Sequence, residues 1–123
     1  MHLNKVMHRD IKPENIMFKK LNDLNSLKII DFGLAMSFNN DSRKIKKFCG
    51  TIKFMAPEIL ENKSYEQNVD IWACGIILYM LLSGGSHPVS EHFSVNGISQ
   101  YKSILCGKTN SEYEWKFNDG FPL

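Results

Sequence analysis

Long apolar runs are missing from this chain of 123 residues. The longest stretch free of charged or strongly polar side chains, Ile71 to Leu82, covers twelve positions, short of the roughly 20 that a membrane-crossing helix needs, so no membrane partner is expected. Cysteine is scarce and badly spaced for pairing: Cys49, Cys74 and Cys106 form no C-x-x-C pair and have no histidine at ligand spacing. That pattern reads as reduced thiols, not as a disulfide framework or a zinc site. An excess of either charge is lacking too, with 15 Lys and Arg against 13 Asp and Glu and a net charge of +2. No basic stripe interleaved with aromatics is present, so no nucleic-acid partner is expected. The opening Met1-His2-Leu3-Asn4-Lys5 has no apolar core of a signal peptide. A cytoplasmic, unsecreted location follows as an expectation, and the acceptor patterns Asn40-Asp41-Ser42 and Asn62-Lys63-Ser64 then carry no sugar. Internal repeats and low-complexity segments are absent.

What is present suits one ordinary core: 43% of the residues are hydrophobic and 23% charged. Ile16-Met17-Phe18 and Lys28-Ile29-Ile30 are short apolar runs separated by Leu21 to Ser26, whose Asn, Asp and Ser favour a turn, and together they predict a small β-hairpin. From Ser37 to Lys47 the sequence is polar and aperiodic, which predicts a loop. The run Ile71 to Leu82 predicts a helix buried on all sides, ended by Ser83-Gly84-Gly85-Ser86-His87-Pro88. A weaker amphipathic helix is expected over Ile98 to Leu105.

Three blocks carry the chemistry: His8-Arg9-Asp10-Ile11-Lys12-Pro13-Glu14-Asn15, then Asp31-Phe32-Gly33, then Ala56-Pro57-Glu58. A lone Asp-Phe-Gly is usually just a turn. In this order and spacing, the three blocks resemble the catalytic loop, the metal-binding loop and the end of the activation segment of eukaryotic serine/threonine protein kinases. The resemblance implies a fold that is mainly α with a small β-hairpin, a partial kinase-like C-terminal lobe across residues 1–123 with the N-terminal lobe absent. It implies transfer of the γ-phosphate of ATP, with Mg²⁺, to a Ser or Thr hydroxyl of a protein substrate.

Phosphoryl transfer passes through a loose transition state, so the protein mostly positions the acceptor and offsets charge. By resemblance, Asp10 faces the attacking hydroxyl, Lys12 places an ammonium near the transferring group, and Asn15 and Asp31 supply hard oxygen ligands to Mg²⁺. Thr51 is expected to hydrogen-bond near Asp10 and Lys12. Ile16-Met17-Phe18 looks like the floor of the adenine pocket, with Met17 as the contact. Glu14 completes that side of the site and in related enzymes faces basic residues upstream of the acceptor. Asp70, opening the apolar helix, could be a charge favoured by the helix dipole; the resemblance makes it an anchor for the catalytic-loop backbone. Ile76 to Gly84 resembles the calcium- and calmodulin-dependent group, although no D-x-[DN]-x-[DN]-G loop is present.

Departures from the pattern carry their own expectations. Arg9 marks kinases whose activation segment is commonly ordered by a phosphate paired to arginine, yet the position of that phosphorylated threonine is Lys47 here. Activation without a phosphate at that site is expected, with Ser37 and Ser42 as other acceptors. No G-x-G-x-x-G loop and no V-A-I-K strand is present, and Gly107-Lys108-Thr109 fails as a phosphate loop because the first glycine would fall on Lys102. A docking fragment or pseudokinase is the alternative, against which stand intact Asp10, Lys12, Asn15 and Asp31. Glu58 in the family pairs with a later arginine, but no arginine follows Arg43. A buried carboxylate without its cation costs roughly 3–5 kcal/mol. The 123 residues alone should therefore aggregate or unfold easily, and a sharp calorimetric melt above about 60 °C would contradict this.

Overall fold

The computed structural model describes residues 1–38 and 45–88. The chain divides into two compact units, Met1–Cys74 and Gly75–Leu123. The expected helix over Ile98 to Leu105, and Ser42, Arg43 and Cys106, lie outside the described residues.

In the first unit the backbone forms two small antiparallel sheets. Strand β1 (Val6–Met7) pairs with β4 (Met36–Ser37), matching Val6 with Ser37 and Met7 with Met36. Strand β2 (Ile16–Phe18) pairs with β3 (Leu27–Ile29) in the register Ile16–Ile29, Met17–Lys28 and Phe18–Leu27. The second pair is the expected hairpin, offset by one residue because Leu27 extends it and Ile30 leaves the ladder. The β1–β4 sheet was not expected, and it takes Ser37 out of the polar loop. Between β2 and β3, the Asp23 carboxylate accepts the Asn25 amide at 3.0 Å and caps a turn over Leu24–Ser26. The Ser26 hydroxyl, accepting the Lys20 amide at 2.9 Å, closes that turn. These are the local side-chain bonds that Asp and Ser offer a turning backbone.

Helix α1 (Pro57–Leu60) opens on proline, whose fixed φ suits a first turn, and buries Ile59 and Leu60. Helix α2 (Asn68–Leu82) starts three residues earlier than the apolar run, so Asp70 falls in its first turn. The twelve uncharged residues from Ile71 to Leu82 predict burial on all sides. Val69, Asp70, Ala73 and Ile76 are buried, but Ile71 is 60% exposed, Leu78 56% and Leu81 74%. Spacings of seven and three residues put those three on one stripe, so the burial is one-sided. Among the described residues these are the only two α-helices, and "mainly α" overstates them. At the C-terminus of α2, the Gly85 amide reaches back to the Met80 carbonyl at 2.7 Å, with Gly84 at φ 69°. That is a Schellman closure, and a left-handed residue at this place is why glycine stands there. Glu58 is half-buried, so the cost of a fully buried orphan carboxylate does not apply. The exposed stripe on α2 is the stronger reason to expect marginal stability.

Asp70 ties α2 to the loop before β2. Its side chain is 2% exposed, and it accepts the His8 amide at 2.8 Å on Oδ2 and the Arg9 amide at 2.8 Å on Oδ1. His2 Nε2 lies 2.7 Å from Oδ2. Arg9 sits at φ 69°, a left-handed conformation that costs a non-glycine residue about 1–2 kcal/mol. Two amides held by one carboxylate offset that cost. Asp70→Ala is therefore expected to destabilise the fold by about 3 kcal/mol, since each buried amide left unpaired costs about 1–3 kcal/mol. Asp70→Asn, which keeps one acceptor oxygen, should recover part of it, and urea unfolding of both variants measures the difference.

Candidate active site

His8 and Arg9 join the two loops that follow β1 and β3. His8 is fully buried. Its Nδ1 accepts the Asp10 amide at 3.3 Å, which places the proton on Nε2, and Nε2 donates to the Ile30 carbonyl at 3.1 Å. Its ring meets Phe32 edge-on, with centroids 4.9 Å apart. Arg9 Nε donates to the Leu34 carbonyl at 2.7 Å. The Asp10 loop and the Asp31-Phe32-Gly33 loop are thus locked together by bonds to backbone carbonyls.

Asp10 stands at the centre of a short polar chain. Thr51 Oγ1 donates to Asp10 Oδ1 at 2.7 Å, Lys12 Nζ donates to Thr51 Oγ1 at 3.0 Å, and Lys12 Nζ lies 2.9 Å from Asp10 Oδ2. Three groups close a ring in which every bond is charge-assisted or accepts from a charged donor. Burial pushes the Asp10 carboxyl up, but the Thr51 hydrogen bond and the Lys12 ammonium outweigh it and hold the group below its ordinary value. Lys12 is held above the usual lysine range by its bond to Asp10, against the opposing pull of burial, with the carboxylates of Glu14 and Asp31 adding to it. Both members stay ionised at neutral pH.

Asn15, at the end of the turn Pro13–Asn15, is buried and donates Nδ2 to the Asp10 carbonyl at 2.9 Å. Its Nδ2 is also 3.4 Å from Asp10 Oδ2. With the amide nitrogen committed to Asp10, Oδ1 is the atom of Asn15 suited to a cation. The Ile30 amide donates to the Asn15 carbonyl at 2.9 Å, so Asp31 follows directly after a bond to Asn15. Asp31 is exposed, sits at φ 59°, and accepts the Gly33 amide at 3.1 Å. An amide oxygen and a carboxylate are hard donors of the kind Mg²⁺ prefers. Among the described residues no group of three or more His, Cys, Asp or Glu could hold a metal ion; Asn15 and Asp31 would have to act with oxygens from a bound phosphate. Glu14 is exposed on the same turn, and Met17 is 54% exposed on β2. Beneath Asp10 and Thr51 the wall is apolar, made by Ile11, Phe54, Met55 and Ile59.

Gly50 shows why Thr51 can reach Asp10. Its φ is 110°, and a Cβ there would lie 2.5 Å from the Arg9 carbonyl oxygen. Only glycine lets the chain pass this close. Sequence reading missed the bond of 2.7 Å from the Tyr65 hydroxyl to the Lys47 carbonyl and the Arg9–Leu34 bond; the partners are backbone carbonyls, which leave no residue-type signal.

The chain matches the protein kinase domain family over residues 1–119. It is 49% identical over 112 residues to calcium-dependent protein kinase 4 of Plasmodium falciparum (isolate 3D7), a match covering 88% of this chain and 20% of that protein. It is 49% identical over 85 residues to calcium-dependent protein kinase 4 of Plasmodium berghei (strain Anka), covering 68% of this chain and 16% of that protein. The chain spans a fifth or less of the length of these curated relatives.

The Asp10 carboxyl owes its depressed pKa to Thr51 and Lys12 against burial. Stability from such a group is present above its unfolded pKa, near 3.9, and is lost as pH falls through the lower folded value. Thr51→Val removes a donor, so NMR titration of the Asp10 carboxyl should show an upward shift. A carboxyl that titrates unchanged in Thr51→Val would remove Thr51 from the cause.

Proposed function

The chain belongs to the protein kinase family, and from that membership we propose that it carries the phosphoryl-transfer site of a serine/threonine kinase resembling the calcium-dependent group. The observation that carries this reading is the ring of Thr51, Lys12 and Asp10, closed within 3.0 Å, beside the oxygens of Asn15 and Asp31. Mg²⁺-ATP, when bound, supplies the γ-phosphoryl group and the cation that offsets its charge. Asn15 and Asp31 would hold the cation, with Met17 against the adenine.

In this reading Asp10 orients the acceptor hydroxyl and receives its proton late, consistent with a carboxylate held at low pKa and hence a weak base. Lys12, bonded to both Asp10 and Thr51, keeps a positive charge beside the transferring group without moving during the step. Thr51 fixes which Asp10 oxygen faces the substrate. Lys12-Pro13-Glu14 and Gly50-Thr51 support a Ser or Thr acceptor, and exposed Glu14 suits a substrate with Arg or Lys upstream. The sequence contains no G-x-G-x-x-G loop, so these residues act as the lower half of a cleft, and cover over the phosphates must come from groups other than these. A cytoplasmic site of action goes with an intracellular phosphoryl donor.

In the full-length protein, Asp10→Ala is expected to lower the transfer rate by roughly 10²–10⁴-fold while ATP still binds, the scale of a lost acid–base group. Asp31→Ala should raise the Mg²⁺ concentration needed for half-maximal rate. Radiometric peptide assays with ATP titrations measure both, and wild-type activity in Asp10→Ala would reject the role.

A further inference from the structure

Tyr65, between α1 and α2, is 3% exposed and takes no part in the ring around Asp10. It grips the segment that precedes Thr51 at alternate residues. The Tyr65 amide donates to the Ile45 carbonyl at 2.9 Å, and the Ile45 amide donates to the Tyr65 carbonyl at 3.3 Å. The Tyr65 hydroxyl donates to the Lys47 carbonyl at 2.7 Å and lies 3.8 Å from Cys49 Sγ. Residues 45, 47 and 49 alternate along the chain, so one residue, through its backbone and its hydroxyl, holds one edge of the segment.

The next two residues lead straight into the site. Gly50 is pressed on the Arg9 carbonyl, and Thr51 donates to Asp10. At about 3.3 Å per residue, Thr51 lies only about 7 Å along the chain from Cys49. A segment free at 45–49 would carry Thr51 away from a bond that tolerates only a few tenths of an ångström. None of the groups in this grip is charged. Among the described residues Arg9 Nη1, by contrast, is buried without a hydrogen-bond partner, and the lysine side chains at 46 and 47 are exposed. The guanidinium acts on the neighbouring Tyr65 phenol, opposing the upward push that burial gives it.

We propose that Tyr65 is a positioning residue for phosphoryl transfer: through its backbone and its hydroxyl it clamps residues 45–49, so that Thr51 stays on Asp10 without a phosphate on that segment. The clamp does with neutral hydrogen bonds what an arginine-bound phosphate does elsewhere, and Lys47 in the phosphate position is then a residue whose carbonyl is used and whose side chain is not. This proposal rests on the kinase reading of the site.

The test uses full-length enzyme treated with a protein phosphatase. Tyr65→Phe keeps the ring and deletes the hydroxyl; Ile45→Pro deletes the amide donated to the Tyr65 carbonyl and leaves residue 65 in place. Each removes one neutral hydrogen bond, and both should lower kcat/KM for a peptide substrate about three- to tenfold, with KM for ATP unchanged. Amide hydrogen exchange in Tyr65→Phe should quicken at 47–51 and stay unchanged in α2, which a general loss of stability would not produce. Wild-type kcat/KM and wild-type exchange at 47–51 in both variants would overturn the proposal, as would loss of wild-type activity on phosphatase treatment. Should Asp10→Ala retain activity, the kinase reading fails separately, and the exchange rates at 47–51 alone decide whether Tyr65 clamps the segment.

Discussion

The carboxylate of Asp70 holds the rest in place. It is buried, comes from the first turn of α2, the longest helix among the described residues, and takes both amides of His8 and Arg9. A buried carboxylate is tolerated only when its oxygens are filled, and here two backbone amides fill them, with the His2 ring beside Oδ2. Because the donors are backbone, the bond constrains the path of the chain and leaves the side chains of residues 8 to 10 to other work. Those side chains radiate from the fixed point: His8 to Ile30, Arg9 to Leu34, Asp10 to Thr51 and Lys12. Backbone strain at Arg9 persists because the surroundings over-determine it, as strained residues at working sites generally require.

Electrostatics around Asp10 favour readiness over basicity. A carboxylate depressed by a hydroxyl donor and an ammonium keeps its charge across the ordinary pH range, and the ammonium is stabilised in return. Such a pair is a poor proton acceptor at rest. In the proposed reading it serves as a template for a hydroxyl, which needs an acceptor at a set distance more than it needs a strong base when the transition state is loose. The carboxylate of Asp31 adds a weaker pull on the same ammonium.

Much of this was legible in the linear order of residues, for reasons that differ from element to element. The hairpin of β2 and β3 showed because two apolar runs flank a turn rich in Asn, Asp and Ser. Its offset by one residue did not, since Leu27 and Ile30 are equally apolar and only the ladder chooses between them. The apolar run after Asp70 announced a helix, but a segment with no polar residue has no period, so the exposed stripe of Ile71, Leu78 and Leu81 could not be read from it. Strands β1 and β4 are two residues each and offer no alternation to detect. Meeting of Lys12 and Thr51 at Asp10 was legible only through family resemblance, being a contact across 41 residues. Tyr65 was invisible because it recognises carbonyl groups, which every residue has.

Gly50 carries a consequence for the history of such chains. A backbone with φ of 110° and a carbonyl oxygen 2.5 Å from where a first side-chain carbon would sit leaves no room for alanine, the smallest alternative. Every amino-acid replacement reachable from a glycine codon adds that carbon. Only synonymous changes leave the position as it is, and every amino-acid replacement there must move the backbone that leads into Thr51.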